Sequence, residues 1–443
     1  MIKRIISLAQ TPEGISTFSN IMSSGFGLLS FFFITRAFSP NALGQWFIFL
    51  SGATLVDMLR IGLVNKGFIY LYSGKEGAGK SVVIGSGLAL FSAFSAGVAL
   101  LLFASTIILP SITDMNSSWR MFFVWYPIFA VMSIPHNVSE WIAQAELRFH
   151  RSVVTRIIVR GGFLLFTAIN FFHHLFSIDE LAMIFIALNA VSSLLTLVLS
   201  WTPLSSLRSI RIDSLKQLLQ FGKFNSITQV GSNLLRSSDS FLLGSFLGPI
   251  AVARYGVPAK LLEIVELPLR SFGAAAYPEF ARAHHAGNIE EMKRSFVKTV
   301  FRLTLFVLPI VILCAVFAQQ VTMLFGGAQY RNTATILRFF LAYCLLIPFD
   351  RFSGIFIDSL NKPHYNAVKV WLMLGVNCLS DIIALYFFGT VESVAAASLV
   401  TFFFGTVVNI VMIKSLTGWN PVSKESFTHS VRQLAVSVNG FSR

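Results

Sequence analysis

Charged residues are scarce in this chain. They make up 12% of its 443 residues, whereas 55% of the residues are hydrophobic. A soluble domain carries about 25% charged residues, so the composition excludes an ordinary water-soluble domain and predicts an all-α polytopic membrane protein. The net charge of +14 does not indicate nucleic-acid binding, because the lysines and arginines are scattered through short loops. The tendency of basic residues to stay on the cytoplasmic side of a membrane accounts for the excess.

Cysteine is also rare, and Cys314, Cys344 and Cys378 all fall in apolar segments. Three such thiols give no disulfide framework and no metal-ligand spacing. The chain also lacks a phosphate-binding glycine loop, an H-x-x-x-H metal motif and a nucleophile elbow. No predicted outside loop is long enough for a catalytic domain. We therefore expect neither an enzyme nor a bound metal or organic cofactor.

Long apolar runs, by contrast, are abundant. A helix that spans a membrane needs about 20 apolar residues. Basic residues concentrate in every second connection between the apolar runs, which predicts that both termini are cytoplasmic. Twelve segments are long enough to span: 14–36, 43–72, 81–109, 119–145, 152–173, 180–202, 222–246, 251–280, 295–318, 332–360, 365–388 and 393–415.

Two proline-containing stretches, Phe38–Trp46 and Leu247–Tyr255, share one pattern. Each has a small residue before the proline, an alanine two residues after it and an aromatic residue six after it. Proline is favoured in the first turn of a helix, so each stretch predicts a tight link between antiparallel helices. A further Ile-Pro pair occurs at Pro135 and Pro348. Together they predict a parallel repeat about an axis along the membrane normal, as in some secondary transporters.

The longest cytoplasmic connection divides the predicted spans into six and six. We predict an N-terminal lobe over 1–203, a cytoplasmic linker over 204–221 and a C-terminal lobe over 222–417. The remaining residues, 418–443, are too polar to span. Their apolar residues recur at helical spacing, which predicts an amphipathic surface helix, although a disordered tail is an open alternative.

Several predicted spans contain charged residues, which are costly at membrane depth and therefore indicate function. One interpretation is a cationic central cavity for an anionic headgroup, because a guanidinium group can donate two hydrogen bonds to a phosphate. The other interpretation is acid–base pairing that only stabilises helix packing, as between Asp57 and Arg60, which are three residues apart in the second span. The candidates for binding the anionic substrate are Arg60, Arg236, Lys260, Arg270 and Arg351.

Carboxylates in the same spans could instead bind H⁺ or Na⁺ and couple transport to a gradient. The candidates for ion coupling are Asp57, Asp239, Glu263, Glu266 and Asp350. The fifth span also carries Arg156 and Arg160, four residues apart. Arg156 lies near the predicted inner rim, where long basic side chains reach back to the interface.

The proline stretches resemble those of the polysaccharide-transporter branch of the multidrug/oligosaccharidyl-lipid/polysaccharide (MOP) exporter superfamily. In that family the first link reads like R-x-L-G-P-x-x-F-G-x-W, which Arg36 to Trp46 follow closely. The later pattern N-x-x-D-R-x-x-L-G-x-x-L-G-P-x-x-x-G-x-Y resembles Asn233 to Tyr255. Ser240 replaces the usual arginine, and Ala253 replaces the usual glycine.

The resemblance, which includes O-antigen flippases of the Wzx type, implies a MATE-like fold of twelve transmembrane helices. The two six-helix lobes would be related by a pseudo-two-fold axis along the membrane normal. The implied activity is translocation of an undecaprenyl-diphosphate-linked oligosaccharide, such as an O-antigen repeat unit, across the bacterial inner membrane by alternating access. The implied partners are the lipid-linked glycan, the bilayer, and polysaccharide polymerase and chain-length regulator proteins.

Two other functions stay open at this point. A cation-coupled multidrug exporter of the same superfamily would have the same architecture, although it would favour a more acidic and aromatic cavity. A membrane-embedded glycan polymerase or ligase would typically present a large outside loop with catalytic arginine or histidine residues, and no such loop is predicted here.

Overall fold

The protein is described by a computed structural model over residues 12–108 and 117–421. Within these ranges every regular element is a helix. The chain divides into two compact units. Unit 1 comprises Met1–Asn233 and Leu243–Ala253, and unit 2 comprises Leu234–Leu242 and Arg254–Arg443. The predicted amphipathic tail lies outside the described residues from position 422 onward.

The described residues of the first half of the chain form eight α-helices. A single π-helical turn, Ile157–Gly161, joins the sixth to the seventh, and a 3₁₀ helix, Leu204–Ser209, follows the eighth. The eight are α1 (Pro12–Ala37), α2 (Pro40–Ser73), α3 (Ala78–Ile108), α4 (Ser117–Met132), α5 (Ile134–Ala145), α6 (Phe149–Arg156), α7 (Gly162–His173) and α8 (Ile178–Val198).

In the second half, up to residue 421, the structure again has eight α-helices, with a 3₁₀ helix, Ala328–Thr333, before the fifth of them. The first two each contribute residues to both units. The eight are α9 (Ile212–Phe246), α10 (Pro249–His285), α11 (Ile289–Val316), α12 (Ala318–Gly326), α13 (Ala334–Cys344), α14 (Ile347–Ser359), α15 (Pro363–Phe387) and α16 (Val391–Thr417).

Nine described helical segments are long and apolar enough to cross a membrane, and α4 with α5 forms a tenth that bends by 50°. These ten coincide with ten of the predicted spans. The seventh and eighth predicted spans correspond to α9 and α10, which carry more charge and are not among the ten. The chain is therefore a multi-pass membrane protein, and the count of twelve spans stays a prediction.

Both proline stretches join consecutive helices, as the sequence predicts. Pro40 begins α2 after Ser39, whose hydroxyl accepts a hydrogen bond from the Ala42 amide at 3.4 Å. Pro249 begins α10 after Gly248, whose φ of +82° lies in the region that glycine adopts without strain. The fixed φ and missing N–H of proline suit this first helical position.

The predicted linker packs closely onto unit 1. The Ser206 carbonyl lies where a side chain on Gly85 of α3 would be, so only glycine allows this approach. The Arg211 amide donates to the Ser86 hydroxyl at 3.3 Å. Leu218, fully buried, joins the core cluster of unit 1 with Phe68 and Trp141. Residues 204–221 are thus held against the first unit by backbone and side-chain contacts.

Aromatic side chains fill part of unit 2. Phe280 of α10, Phe296 of α11 and Phe356 of α14 are fully or almost fully buried, with ring centroids 5.3–6.4 Å apart. Trp419, just beyond α16, contacts the rings of Phe296 and Phe356. Offset and edge-to-face rings at these distances stabilise a helical core. They fix the end of α16 to α11 and α14.

Candidate functional site

Arg60 of α2 is buried in unit 1, with 1% of its side chain exposed. Its Nε donates to Asp57 Oδ1 at 2.7 Å, one helical turn earlier. The Tyr126 hydroxyl donates to the same oxygen at 2.8 Å. The guanidinium carbon lies 5.1 Å from the centroid of the Phe91 ring. The predicted pairing of Asp57 with Arg60 is therefore present and enclosed by aromatic rings.

The other donors of Arg60 stabilise the break between α4 and α5. Nη1 donates to the Ala130 carbonyl at 2.5 Å and to the Ser95 hydroxyl at 3.0 Å. Nη2 donates to the Ser133 hydroxyl at 2.7 Å. The last carbonyls of a helix lack partners within the helix, so Arg60 supplies hydrogen bonds that the break removes. These contacts favour the packing interpretation of Arg60 over anion binding.

The tenth predicted span has a similar break, between α13 and α14, at Pro348. Two residues after Pro348, on α14, the Asp350 carboxylate accepts from Lys369 Nζ at 3.0 Å and from Asn409 Nδ2 at 2.9 Å. Lys369 is only 5% exposed. The positive charge of Lys369 neutralises Asp350, which makes Asp350 a weaker candidate for binding a transported cation.

A second buried carboxylate cluster lies in unit 2. Asp239 of α9 and Asp381 of α15 are 6% and 0% exposed. The Asn377 amide nitrogen donates to Asp239 Oδ1 at 2.5 Å and to Asp381 Oδ2 at 3.0 Å. The Tyr255 hydroxyl donates to Asp239 Oδ2, and the Ser398 hydroxyl lies 3.3 Å from that oxygen. One amide therefore bridges two acids that are far apart in the sequence.

The cluster has a deficit of positive charge. All the hydrogen-bond partners described for Asp239 and Asp381 are uncharged. Asp381 Oδ1 is buried without a hydrogen-bond partner among the described residues. Two adjacent carboxylates shielded from water cannot both remain charged without a counter-charge. The arrangement can hold a proton or a small cation between α9, α15 and α16.

The remaining predicted site residues do not form one described cluster. Arg236 is exposed, and Arg351 is partly buried. Lys260 and Glu263 form a partly exposed ion pair at 2.7 Å, which favours simple pairing at that turn of α10. The side chains of Glu266 and Arg270 lie outside what the structure describes. Among the described residues, no group of three histidine, cysteine, aspartate or glutamate side chains is placed to bind a metal.

Sequence reasoning missed Asp381, Asn377 and Lys369 as site residues. Two features of the sequence could have indicated this site. Asn377 and Asp381 are four residues apart in α15 and share a helical face, and an acidic residue at membrane depth indicates function. Their proximity to Asp239 had no signal in the sequence, because it depends on how α9 packs against α15.

Over residues 89–335 the chain matches a family described as polysaccharide biosynthesis proteins. This match covers more than half of the chain. The chain belongs to this family. The predicted membership in a polysaccharide-transporter group agrees with that assignment.

Two curated relatives carry names that describe transport. An O-antigen transporter of Shigella flexneri is 25% identical over 159 residues, which are 34% of this chain and 36% of that protein. The low-salt glycan biosynthesis flippase Agl15 of Haloferax volcanii is 21% identical over 425 residues, which are 91% of this chain and 85% of that protein. The chain thus matches about a third of the Shigella protein and most of the Haloferax protein. The expectation that the chain is not an enzyme agrees with both names.

Solved structures confirm the predicted fold class. An inward-facing multidrug-resistance MATE transporter of the MOP superfamily superposes with a TM-score of 0.73 at 14% identity, covering 92% of this chain and 99% of that chain. The lipid II flippase MurJ, in an inward closed conformation, gives 0.74 at 13% identity, covering 90% and 87%. The chain therefore has a MATE-like fold. At these identities the similarity concerns the fold alone.

Proposed function

We propose that this protein is a flippase that moves an undecaprenyl-diphosphate-linked oligosaccharide across the bacterial inner membrane by alternating access. The observation that carries the proposal is its membership in the polysaccharide biosynthesis family over residues 89–335. The names of the two relatives, an O-antigen transporter and a glycan biosynthesis flippase, support the same class of cargo. Both termini are proposed to be cytoplasmic, and polymerase and chain-length regulator proteins are proposed partners.

The diphosphate is the group of such a cargo that the protein can recognise in every case, because the sugars differ from one glycan to another. We assign its recognition to the predicted basic residues Arg236, Arg270 and Arg351, because guanidinium groups donate charge-assisted hydrogen bonds to phosphate oxygens. Lys260, which pairs with Glu263, is a weaker candidate. Arg60 is proposed instead to hold the break between α4 and α5, because its donors contact Asp57, Ser95, Ala130 and Ser133.

Energy for transport is proposed to come from H⁺ or Na⁺ bound at Asp239 and Asp381. Two observations support this assignment. Asp381 Oδ1 has no hydrogen-bond partner among the described residues, and no positively charged partner is described for either carboxylate. A cation there would relieve the repulsion between the two carboxylates, so its binding and release would change the packing of α9 against α15 and α16. Glu263 and Asp350, which are paired with lysines, are weaker candidates.

Reconstitution tests the proposed function. The purified full-length chain is placed in liposomes with a fluorescent undecaprenyl-diphosphate oligosaccharide, and a membrane-impermeant quencher reports the fraction in the outer leaflet. We expect quenching to proceed beyond the outer-leaflet fraction only when the protein is present. Export of cationic dyes without movement of the lipid would favour the multidrug exporter, and growth of the glycan would favour the polymerase. Either result overturns the flippase assignment.

A further inference from the structure

The short helix in the predicted linker has three different faces. A 3₁₀ helix has three residues per turn, so side chains three apart lie in one row. In the helix Leu204–Ser209, the row that contains Ser206 faces the protein, because Ser206 is buried and its carbonyl lies against Gly85 of α3. The two other rows are exposed. One of them is apolar, with Leu204 and Leu207, and the other is polar, with Ser205 and Arg208.

The apolar row continues beyond the helix. Ile210 follows Leu207 at the same three-residue spacing, and Ile212 begins α9. These large aliphatic residues are between 40% and 69% exposed: Leu204, Leu207, Ile210 and Ile212. Aliphatic side chains are unfavourable in contact with water. In a multi-pass membrane protein, four of them on one short surface segment indicate contact with lipid.

The contact with Gly85 places this segment near the edge of the hydrocarbon core. The spanning part of α3, Ala78–Ile107, has 30 residues. Such a helix is about 45 Å long, whereas the hydrocarbon core is about 30 Å thick, so a centred helix extends about 7 Å beyond the core at each end. Gly85 lies about 10 Å along α3 from Ala78. The 3₁₀ helix therefore crosses α3 close to the level where acyl chains meet headgroups.

Hydrogen bonds on both sides of the 3₁₀ helix fix it to unit 1. Before the helix, the Thr202 hydroxyl donates to the Pro135 carbonyl at 2.8 Å. After the helix, the Arg211 amide donates to the Ser86 hydroxyl at 3.3 Å. Trp201 directly precedes Thr202, and tryptophan is enriched where a membrane meets water. The exposed rows are therefore carried by a backbone that is held at one depth.

Two arginines give this surface a positive charge. The side chains of Arg208 and Arg211 are exposed, and neither guanidinium group has a hydrogen bond or ion pair among the residues that the structure describes. Residues 204–216 contain three basic residues and one acidic residue. Basic residues beside an apolar row, at the depth of the headgroups, are typical of segments that bind anionic lipids. The charge and the apolar row together match a lipid with a negative headgroup.

We infer that residues 204–212 form a docking site for an anionic phospholipid of the bilayer, separate from the transported lipid. Leu204, Leu207 and Ile212 contact its acyl chains, and Arg208 and Arg211 donate charge-assisted hydrogen bonds to its phosphate oxygens. A lipid held there attaches the connection between α8 and α9 to the bilayer surface. The inference rests on the proposed function only for the leaflet, which is the inner one when both termini are cytoplasmic.

Quenching by brominated lipids tests the site in the full-length protein. A bimane label is attached to Ile210→Cys in a background that carries Cys314→Ala, Cys344→Ala and Cys378→Ala. The protein is reconstituted in vesicles of phosphatidylcholine and phosphatidylglycerol, with bromine on the acyl chains of one lipid or the other. We expect the label to be quenched, and phosphatidylglycerol to be preferred about ten- to thirty-fold at this position. Adding Arg208→Gln and Arg211→Gln should reduce the preference to about one-fold, because both charges are lost.

Two controls separate this site from general effects of charge and depth. Arg294→Gln with Lys362→Gln removes the same charge from exposed positions in unit 2 and should leave the preference unchanged. A label on Ala78→Cys, which is exposed at the start of α3, should be quenched less because it lies beyond the hydrocarbon core. An unquenched label at position 210, or a preference that survives the loss of both arginines, overturns the inference.

The translocation assay distinguishes this inference from the proposed function. If phosphatidylglycerol is preferred through Arg208 and Arg211 but the protein moves no lipid-linked oligosaccharide, the flippase assignment fails and the docking site stands. If the protein moves the oligosaccharide and the loss of both arginines leaves the lipid preference unchanged, the docking site fails and the flippase assignment stands. The elution volume and thermal unfolding of each variant in detergent confirm that its fold is intact.

Discussion

The backbone carbonyl of Pro249 occupies the space that a side chain on Gly44 would need. Gly44 lies in the first proline stretch, one turn of α2 after Pro40, and Pro249 begins α10 in the second stretch, so the two stretches contact each other within unit 1. Glycine at position 44 is therefore required by packing rather than by its own backbone angles. The residues that predict the repeat in the sequence therefore also contact each other in the structure.

This contact predicts that Gly44→Ala destabilises the protein. The new Cβ must displace the backbone at Pro249, and overpacking of this kind costs about 1–3 kcal/mol. The measurement is thermal unfolding of the purified protein in detergent. Gly97→Ala is the matched control, because nothing lies within 4 Å of a Cβ there and alanine favours a helix. Equal unfolding temperatures for the two variants would contradict the close approach.

Arg60→Met should destabilise unit 1 strongly. The methionine fills similar space but leaves Asp57 without its cation and the Ala130 carbonyl without its donor. Breaking a buried ion pair costs about 3–5 kcal/mol. Glu290→Gln removes the exposed carboxylate of the pair with Lys293 and should cost no more than about 1 kcal/mol. Thermal unfolding compares the two, and a similar loss in both would show that Arg60 has no special structural role.

Asp381→Asn should uncouple transport from its driving gradient. The amide keeps the size of the side chain but removes one of the two charges next to Asn377, so a cation is no longer needed to relieve their repulsion. The rate of translocation in liposomes is measured with and without a Na⁺ or pH gradient. We expect the wild type to respond to one gradient and the variant to respond to neither.

The control for this experiment is Glu290→Gln, which changes an exposed carboxylate at the start of α11. It should respond to the gradient as the wild type does. A wild-type response in Asp381→Asn would remove Asp239 and Asp381 from the coupling mechanism, while leaving the flippase assignment unaffected.

Lys369 and Asp350 should behave as one unit in a double-mutant cycle. Lys369→Met leaves a carboxylate uncompensated, and Asp350→Asn leaves a buried ammonium group uncompensated, so each single change should be strongly destabilising. The double variant should be less destabilised than the sum of the two, with a coupling energy of about 0.5–3 kcal/mol. Additive losses in the free energy of unfolding would show that the 3.0 Å pair is not energetically coupled.

The sequence was informative where function depends on local pattern. The length of the apolar runs predicted where the spanning helices lie. Pro40 and Pro249 marked the starts of two helices, because proline has a narrow backbone preference. The pairing of Asp57 with Arg60 followed from their spacing along one helix. Each of these features is set by residues that are close in the chain.

The sequence was uninformative where function depends on contacts between distant helices. Asp239 and Asp381 share the Asn377 amide, and Lys369 neutralises Asp350, only because particular helices pack side by side. Arg60 was predicted to contact the cargo from its charge and depth, whereas its contacts with Ser95 and Ala130 show how protein groups can satisfy a buried cation. Depth in the membrane identifies a costly charge but does not identify its partner.

The assignment of Leu243–Ala253 to unit 1 has a consequence for biosynthesis. Unit 1 is incomplete until the ribosome has synthesised Leu243–Ala253 in the second proline stretch. Unit 1 therefore cannot finish folding when the predicted linker emerges from the ribosome. Two co-expressed fragments divided after residue 221 would separate Gly44 from Pro249, whereas fragments divided in the turn at Ala286–Gly287, between α10 and α11, would keep both in one polypeptide. The later division keeps unit 1 in one polypeptide, whereas it separates Asp239 from Asn377 within unit 2.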